Sequence, residues 1–499
     1  MEEGQLSKWE PSEEIPIAAE RSVVNSALEP LIERAERAVL AGDLASLRAL
    51  VGQLWPDRLA LPELLTRRLI EGRTRAPLLT LELLGGFAGR AAAPYLRRVA
   101  EDPAVADLVR WSARRRLGWP ARGQARWRLA FLASLRDPDR TLVEAVAQAT
   151  TAWPPDSELL DEVLAYLCAL PSPRRQGVLQ RIAGHFGVQA GWLLHAALFI
   201  DDAATQRLAL AEIGRLRPPG AAGAVARLAA SARTATMRAA AAAAAQRLRL
   251  RLVDGAGPAS APLPPLTQAL LSAIDGAGHQ LACVVRQWPD GLCLVVHFLL
   301  HAECGVKAVV GLSRTTADLL ASSLASVQER GLPLVAVDLP ALRGVLQAAL
   351  ERCAAGRRRL PPSFELWEPA LHDHYPPPPH EPVASVHLDD AAYGDRPDLL
   401  RASVRLAEHP FFQSWCLSGK ASALALGVAG EARAWLRERL RQQAWLLERA
   451  GDLATRDVVL AVAAQLATAP EGELARQPFL RRLAVRRAVA VGGLALPWP

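Results

Sequence analysis

The amino-acid sequence predicts a mainly α chain, with a helical-repeat array first, a small α+β domain next and a C-terminal helical region last. Three observations carry this. From Ser26 to Leu252 apolar residues recur at helical spacing, broken at short intervals by Gly, Pro or Asp, as in AGD at 41–43, GG at 85–86, LPSP at 170–173 and RPPG at 217–220. One local form then returns at a spacing of 31 residues, TQRLALAEIG at 205–214 and TMRAAAAAAA at 236–245. Beyond residue 265 the period changes, and Asp290-Gly291 between two apolar runs is the strongest short hairpin signal in the chain.

Residues 1–25, opening MEEGQLSKWEPSEE, read as an acidic, flexible tail without the basic-then-apolar order of a signal segment. Residues 26–253 hold the array. Helices of roughly 10–16 residues joined by such short turns must pack against their sequence neighbours. The segment VRWSARRRLG at 109–118 shows why: Val109, Ala113 and Leu117 make one stripe, Arg115 and Arg116 face away, and Gly118 ends the helix. Ala209 and Ala240 match Ala113 in the two later copies, where a small residue lets helices approach closely.

These copies resemble HEAT-type repeats, whose second helix reads V-R-x-x-A-x-x-x-L-G after an Asp-rich turn. VRWSARRRLG has that pattern with Asp102-Pro103 ahead of it, whereas Gln206 and Met237 stand where the repeat carries Arg. The resemblance implies an α-solenoid over residues 26–253. HEAT-type arrays serve as scaffolds, transport adaptors, nucleic-acid binders and occasionally enzymes, so the likeness leaves the function open.

DGAGPASAPLPP, within 254–265, is a linker by composition. Residues 266–371 read as a small α/β domain. Two strands flank Asp290-Gly291, then come a helix near 314–330, a strand at 332–338 and a helix at 340–355. On the second strand Leu292, Leu294, Val296, Phe298 and Leu300 form an apolar face, and His297 and His301 lie on the other. Residues 372–398, with HDHYPPPPHEP, form a Pro-rich connector. Residues 399–499 return to helices, the longest at 430–451, after which Asp452 or Thr455 caps the next. That region either stands as a separate bundle or packs back on the solenoid.

Composition restricts the function classes. With 51% hydrophobic and 22% charged residues in 499, the chain is an ordinary globular protein. Only Lys8, Lys307 and Lys420 are lysines among 58 basic residues, a skew typical of GC-rich coding sequence, so arginine preference alone says little. Six cysteines without C-x-x-C spacing read as reduced thiols, and no run of apolar residues is long enough to span a membrane. A cytoplasmic location is expected.

The net charge is +7, and nine arginines with two aspartates between Arg110 and Arg140 supply an equal excess. The candidate binding residues are Arg110, Trp111, Arg114, Arg115, Arg116, Trp119, Arg122, Arg126 and Arg128. Arginine on phosphate with tryptophan stacked on bases is how single-stranded nucleic acids are held. The competing reading has the tryptophans as core anchors and the arginines as a solvated face or as partners of acids in the next repeat. Two histidine groups have ligand-type side chains: His372, Asp373 and His374 with His380 and His387, and His297, His301 and Glu303 beside Cys304. A proline-rich tract rarely holds ligands rigidly, and strand histidines are more often buried or at a rim. SGKAS at 418–422 lacks the residues of a phosphate-binding loop, and no other familiar catalytic motif occurs. The expectation is therefore a non-enzymatic interaction scaffold with a protein partner and no cofactor. The alternatives are nucleic-acid binding through 110–140, and an enzyme or metal site in the α/β domain.

Overall fold

The computed structural model describes residues 17–41, 43–117, 124–151, 154–252, 261–329, 332–375, 388–415, 431–474 and 476–483. The chain is mainly α, with a five-stranded antiparallel sheet between two helical stretches. It divides into two compact units, Met1–Glu144 and Ala145–Pro499.

The first unit contains α1 (Ile17–Leu40), α2 (Leu44–Leu54), α3 (Leu61–Ile70), α4 (Pro77–Ala88), α5 (Ala92–Glu101), α6 (Asp107–Leu117), α7 (Gln124–Ala133) and the start of α8 (Pro138–Ala149). The first helix begins inside the stretch expected as a tail. Helix starts follow local chemistry: Asp43 caps α2 by accepting from the Ser46 N–H at 3.0 Å, and Pro77 opens α4 where its missing N–H costs nothing. Leu54, Leu61, Leu65, Leu84, Val99, Val109 and Ala113 form one core. Glu36, 1% exposed, is buried beside it with its partners: it accepts from Thr74 Oγ1 at 2.6 Å, Thr80 Oγ1 at 3.2 Å and the Arg75 N–H at 3.2 Å, and pairs with Arg68 at 3.4 Å. Val109 and Ala113 face inward and Leu117 is half-buried. The expected stop at Gly118 lies outside the described residues.

The second unit continues from α8 through α9 (Ser157–Ala169), α10 (Ser172–Phe186), α11 (Gly191–Ala197), α12 (Ala203–Leu216), α13 (Ala221–Ser231) and α14 (Ala235–Leu252). Helix α12 lies against both α10 and α14. A polar link joins the heads of α10 and α12: Ser172 Oγ donates to Asp202 Oδ2 at 2.5 Å across 30 residues. Asp107 and Asp137, also 30 residues apart, make the corresponding link in the first unit, a backbone N–H on a carboxylate at 2.9 Å. One expected match shifts. Ala209 is buried at 0%, but in α14 the equivalent inward position belongs to Ala241, also 0%, while Ala240 is exposed. In a run of seven alanines (Ala239–Ala245) the residues are interchangeable by sequence, and only packing against the neighbouring helix fixes the register.

Residues 254–260 of the expected linker lie outside the described residues, and Ala261–Pro262 form β1, paired with β7 (His374–Tyr375). The sheet comprises β2 (Leu266–Ser272), β3 (His279–Gln287), β4 (Cys293–His301), β5 (Gly305–Thr315) and β6 (Leu334–Ala336), in the order β5-β4-β3-β2-β6. The Asp290-Gly291 hairpin is present, with Gly291 at φ +85° as such a turn requires. The sequence does not announce β1 and β7, which fall in the expected linker and connector, nor two strands of the sheet itself. LTQALLS (β2) is built largely of Leu, Ala and Gln, which favour helix, and GVKAVVGLSRT (β5) carries glycines that lower strand propensity; sheet pairing overrides both. Helix α15 (Ala317–Glu329) covers Cys283, Val285, Cys293 and Val295 through Leu320 and Leu324. On the opposite face Phe298 meets Phe364 at 6.1 Å, and α16 (Leu339–Ala355) and α17 (Phe364–Trp367) pack there.

The C-terminal region contains α18 (Pro397–Ala402), α19 (Glu431–Arg449), α20 (Leu453–Thr468) and α21 (Glu471–Leu474). Leu436, Leu440, Ala444 and Leu447 are buried, and Asp452 caps α20 through the Thr455 N–H at 3.0 Å. This region docks on the sheet, an arrangement neither expected alternative included. Trp415 Nε1 donates to Ile274 O at 2.6 Å, and Gln443 both accepts from Ile274 N–H at 3.0 Å and donates to Phe411 O at 2.9 Å. In the Pro-rich connector, residues 376–387 lie outside the described residues; beyond them Asp390 pairs with Arg437 at 2.6 Å.

Candidate functional site

The arginine run of the first unit is divided by the fold. Arg110 is 3% exposed and Trp111 2%, so neither meets a ligand on the surface. Arg110 Nε donates to Ala100 O at 3.1 Å and Nη1 to Ser134 O at 2.9 Å, which satisfies carbonyls left over at the ends of α5 and α7. Its Nη1 lies 3.5 Å from Asp107, and the guanidinium lies over Phe131. Arg116 is ion-paired with Glu82, Arg140 with Glu144 at 2.7 Å, and Arg136 donates to Val105 O at 2.9 Å. Arg114, Arg115 and Arg128 are half-buried, and Arg126 and Trp127 are exposed. Trp119 and Arg122 lie outside the described residues. Trp111 is thus buried, as the core-anchor alternative expected, whereas Arg110 serves backbone carbonyls at helix ends, a role that neither reading included.

The described members of the two histidine groups do not converge. His372 Nε2 bonds Glu368 at 3.0 Å while Asp373 accepts from Arg286 at 3.2 Å, and His374 belongs to β7. His380, His387 and the SGKAS segment lie outside the described residues. His301 spends its Nδ1 accepting from the N–H groups of Glu303 at 3.0 Å and Cys304 at 3.2 Å. Burial depresses its pKa, and neighbouring His279, Lys307 and Arg439 depress it further. His297, on the α15 side of β4, is depressed by burial. Among the described residues no three His, Cys, Asp or Glu side chains are placed to share a metal ion.

A buried charge cluster in the second unit was not legible in sequence. Arg227 of α13 grips Glu365 of α17 with both ends of its guanidinium, at 2.8 and 2.7 Å, and lies 3.6 Å from Glu368. Burial pushes Glu365 above the usual carboxylate range against the pull of Arg227. For Glu368 burial pushes up too, but Arg227, His372 and His195 outweigh it and hold the carboxyl near 2. His195 of α11 is brought down to about 3 by burial and then by Arg227, so its imidazole is neutral at pH 7. Since 138 residues separate Arg227 from Glu365, no local pattern could announce the pair. Ser313 on β5 is tied to the same helical layer, donating to Asp156 Oδ1 at 2.9 Å.

On the surface of the second unit, α12 and α14 bound an open groove of about 460 Å³. Ala211, Ala240 and Ala243 are exposed along it, half-buried Leu210 and buried Leu248 lie at its base, and Arg207, Arg217 and Arg247 stand exposed on its walls. Glu212, the acid nearest in sequence on α12, is paired with Arg215 at 2.6 Å. In sequence these arginines do not stand out, because they are spread over forty residues rather than clustered. Helix periodicity is the signal that could have found them: Arg207, Leu210, Ala211 and Gly214 share one side of α12.

A mainly α chain with an antiparallel sheet fastened to its helices is as far as fold and surface define the class. No protein-family model, no curated protein and no solved structure matches this chain. No described helix is long and apolar enough to cross a membrane.

Proposed function

We propose that the chain is a non-enzymatic interaction scaffold, a HEAT-type array whose second helices present a surface to a protein partner. The observation that carries this reading is the row α10, α12, α14, in which α12 touches both neighbours. The polar link at the heads of α10 and α12 repeats the 30-residue separation found between α6 and α8. Units joined this way share one surface across several repeats, and long partner segments need such a surface. Arg175 supports it as well. Buried in α10, it donates to Leu167 O at 2.7 Å and Leu170 O at 2.6 Å while reaching Asp202 at 3.3 Å, the same duty that Arg110 performs.

The test is a photo-activated cross-linking residue at exposed Gln180, Ala211 or Ala240, expressed in the organism that carries the chain. One recurrent protein adduct from these sites is the expected result. Adducts with nucleic acid alone, or no adduct from any of the three, would reject the scaffold reading.

A further inference from the structure

We infer that the groove between α12 and α14 receives an acidic amphipathic helix from a partner protein, an inference that rests on the scaffold reading and names what the surface takes. Its walls carry Arg207, Arg217 and Arg247, and among the described residues no carboxylate is paired with them. Arg247 donates to the Ala243 carbonyl of its own helix, at 3.2 Å. Three exposed guanidinium groups around an apolar floor of alanines and leucines call for carboxylates flanking apolar side chains. A nucleic acid presents phosphate without an apolar stripe and would leave that floor uncovered. The lining is largely exposed rather than enclosed, which suits a chain segment better than a small molecule.

Two residues on this groove are the reverse of what their own helix favours. Gly214 lies inside α12, where glycine is less stable than alanine, yet a Cβ placed there would meet nothing within 4 Å. Among the described residues, therefore, nothing requires the missing side chain, and its absence leaves the groove open. Three residues later the helix closes with Arg217 at φ +53°, a left-handed conformation that glycine adopts most easily. The long cation occupies the position that local backbone energetics would give to glycine. Alanine at 214 and glycine at 217 would suit the helix, make the groove shallower and remove one of its charges.

The test titrates the full chain with a fluorescent synthetic peptide of about 18 residues, long enough to hold helix, with leucines at i and i+4 flanked by glutamates. Expected is saturable binding that weakens from low to physiological salt and is lost when lysines replace the glutamates. Two variants locate it. Arg207→Glu with Arg247→Glu reverses the charge, and Gly214→Phe fills open space, so each should weaken binding about tenfold or more. Unchanged helical content and melting temperature would show that the variants fold. No peptide binding, equal binding by both variants, or preference for a single-stranded oligonucleotide would each overturn the inference. If cross-linking captures a protein that Gly214→Phe retains undiminished, the groove is wrong while the scaffold reading survives. If cross-linking captures none, the scaffold reading itself falls.

Discussion

At Gly214 and Arg217 the chain holds residues that lower its own stability, and each can be tested alone. Gly214→Ala should raise the unfolding free energy of the second unit by about 0.5–1 kcal/mol, since the added methyl meets no neighbour. Arg217→Gly should raise it by a similar amount, about 0.5–1 kcal/mol, by relieving the left-handed backbone. Denaturant titration decides both, and a loss of stability in either would mean that the native side chain makes a compensating contact. His195 gives a pH prediction. Its folded pKa near 3 lies below the ordinary 6.5, so the folded state binds fewer protons than the unfolded chain between those values. The stabilisation is complete above pH 6.5 and is lost as pH falls toward 3. Glu368, held near 2, adds a loss of the same sign below 4.5, and Glu365, raised by burial, opposes it. The melting temperature should therefore drop between pH 6.5 and 4.5, and the drop should shrink in His195→Leu. An equal drop in both proteins would show that other groups dominate.

The helix pairs and the sheet are held by single residues placed where elements meet. Arg110→Ala removes a guanidinium that serves the ends of α5 and α7 at once, leaving Ala100 O, Ser134 O and Asp107 without it. A loss of about 2–4 kcal/mol is expected from the first unit, measurable by denaturant titration. In the sheet, Gly311 of β5 allows Trp367 to lie directly on the strand, and a Cβ there would come within 2.5 Å of the indole. Gly311→Val should destabilise by about 1–3 kcal/mol, although valine ordinarily favours strands; an unchanged melting temperature would show that the indole can move aside. Local elements are well legible: the α6 stripe, the Asp290-Gly291 hairpin, the long α19 and the Asp452 cap all follow from spacing and turn chemistry. Strands β2 and β5 were not, because their pairing partners rather than their own propensities decide their state. The candidate site fared less well. A run of arginines in sequence looked like one patch, but on a helix adjacent residues point in different directions, and Arg110 turned inward.

Over the whole molecule, the two compact units need not respond together. Helices α13 and α9 are joined to the sheet region by Arg227–Glu365 and Ser313–Asp156, and the C-terminal helices by Trp415 and Gln443, so the second unit should lose structure as one body. Arg227→Ala leaves Glu365 buried without its partner and should cost about 3–5 kcal/mol. Calorimetry should place that loss in a transition that Arg110→Ala leaves unchanged. A single transition lowered alike by both substitutions would mean that the two units unfold cooperatively.

By itself the sequence determined the class of the fold: helices broken at short intervals, a change of period beyond the expected linker, and helices again. Periodicity, capping and turn chemistry are properties of neighbouring residues, so they can be read along the chain. Tertiary structure alone decided which alanine of α14 faces inward, that Arg110 holds carbonyls instead of facing solvent, that Arg227 meets Glu365 and that the last helices rest on the sheet. It also brought Arg207, Arg217 and Arg247 to one groove. These are pairings between residues far apart in sequence or copies alike in composition. The free energy that selects them comes from burial and charge neutralisation in the packed state, which no local pattern encodes.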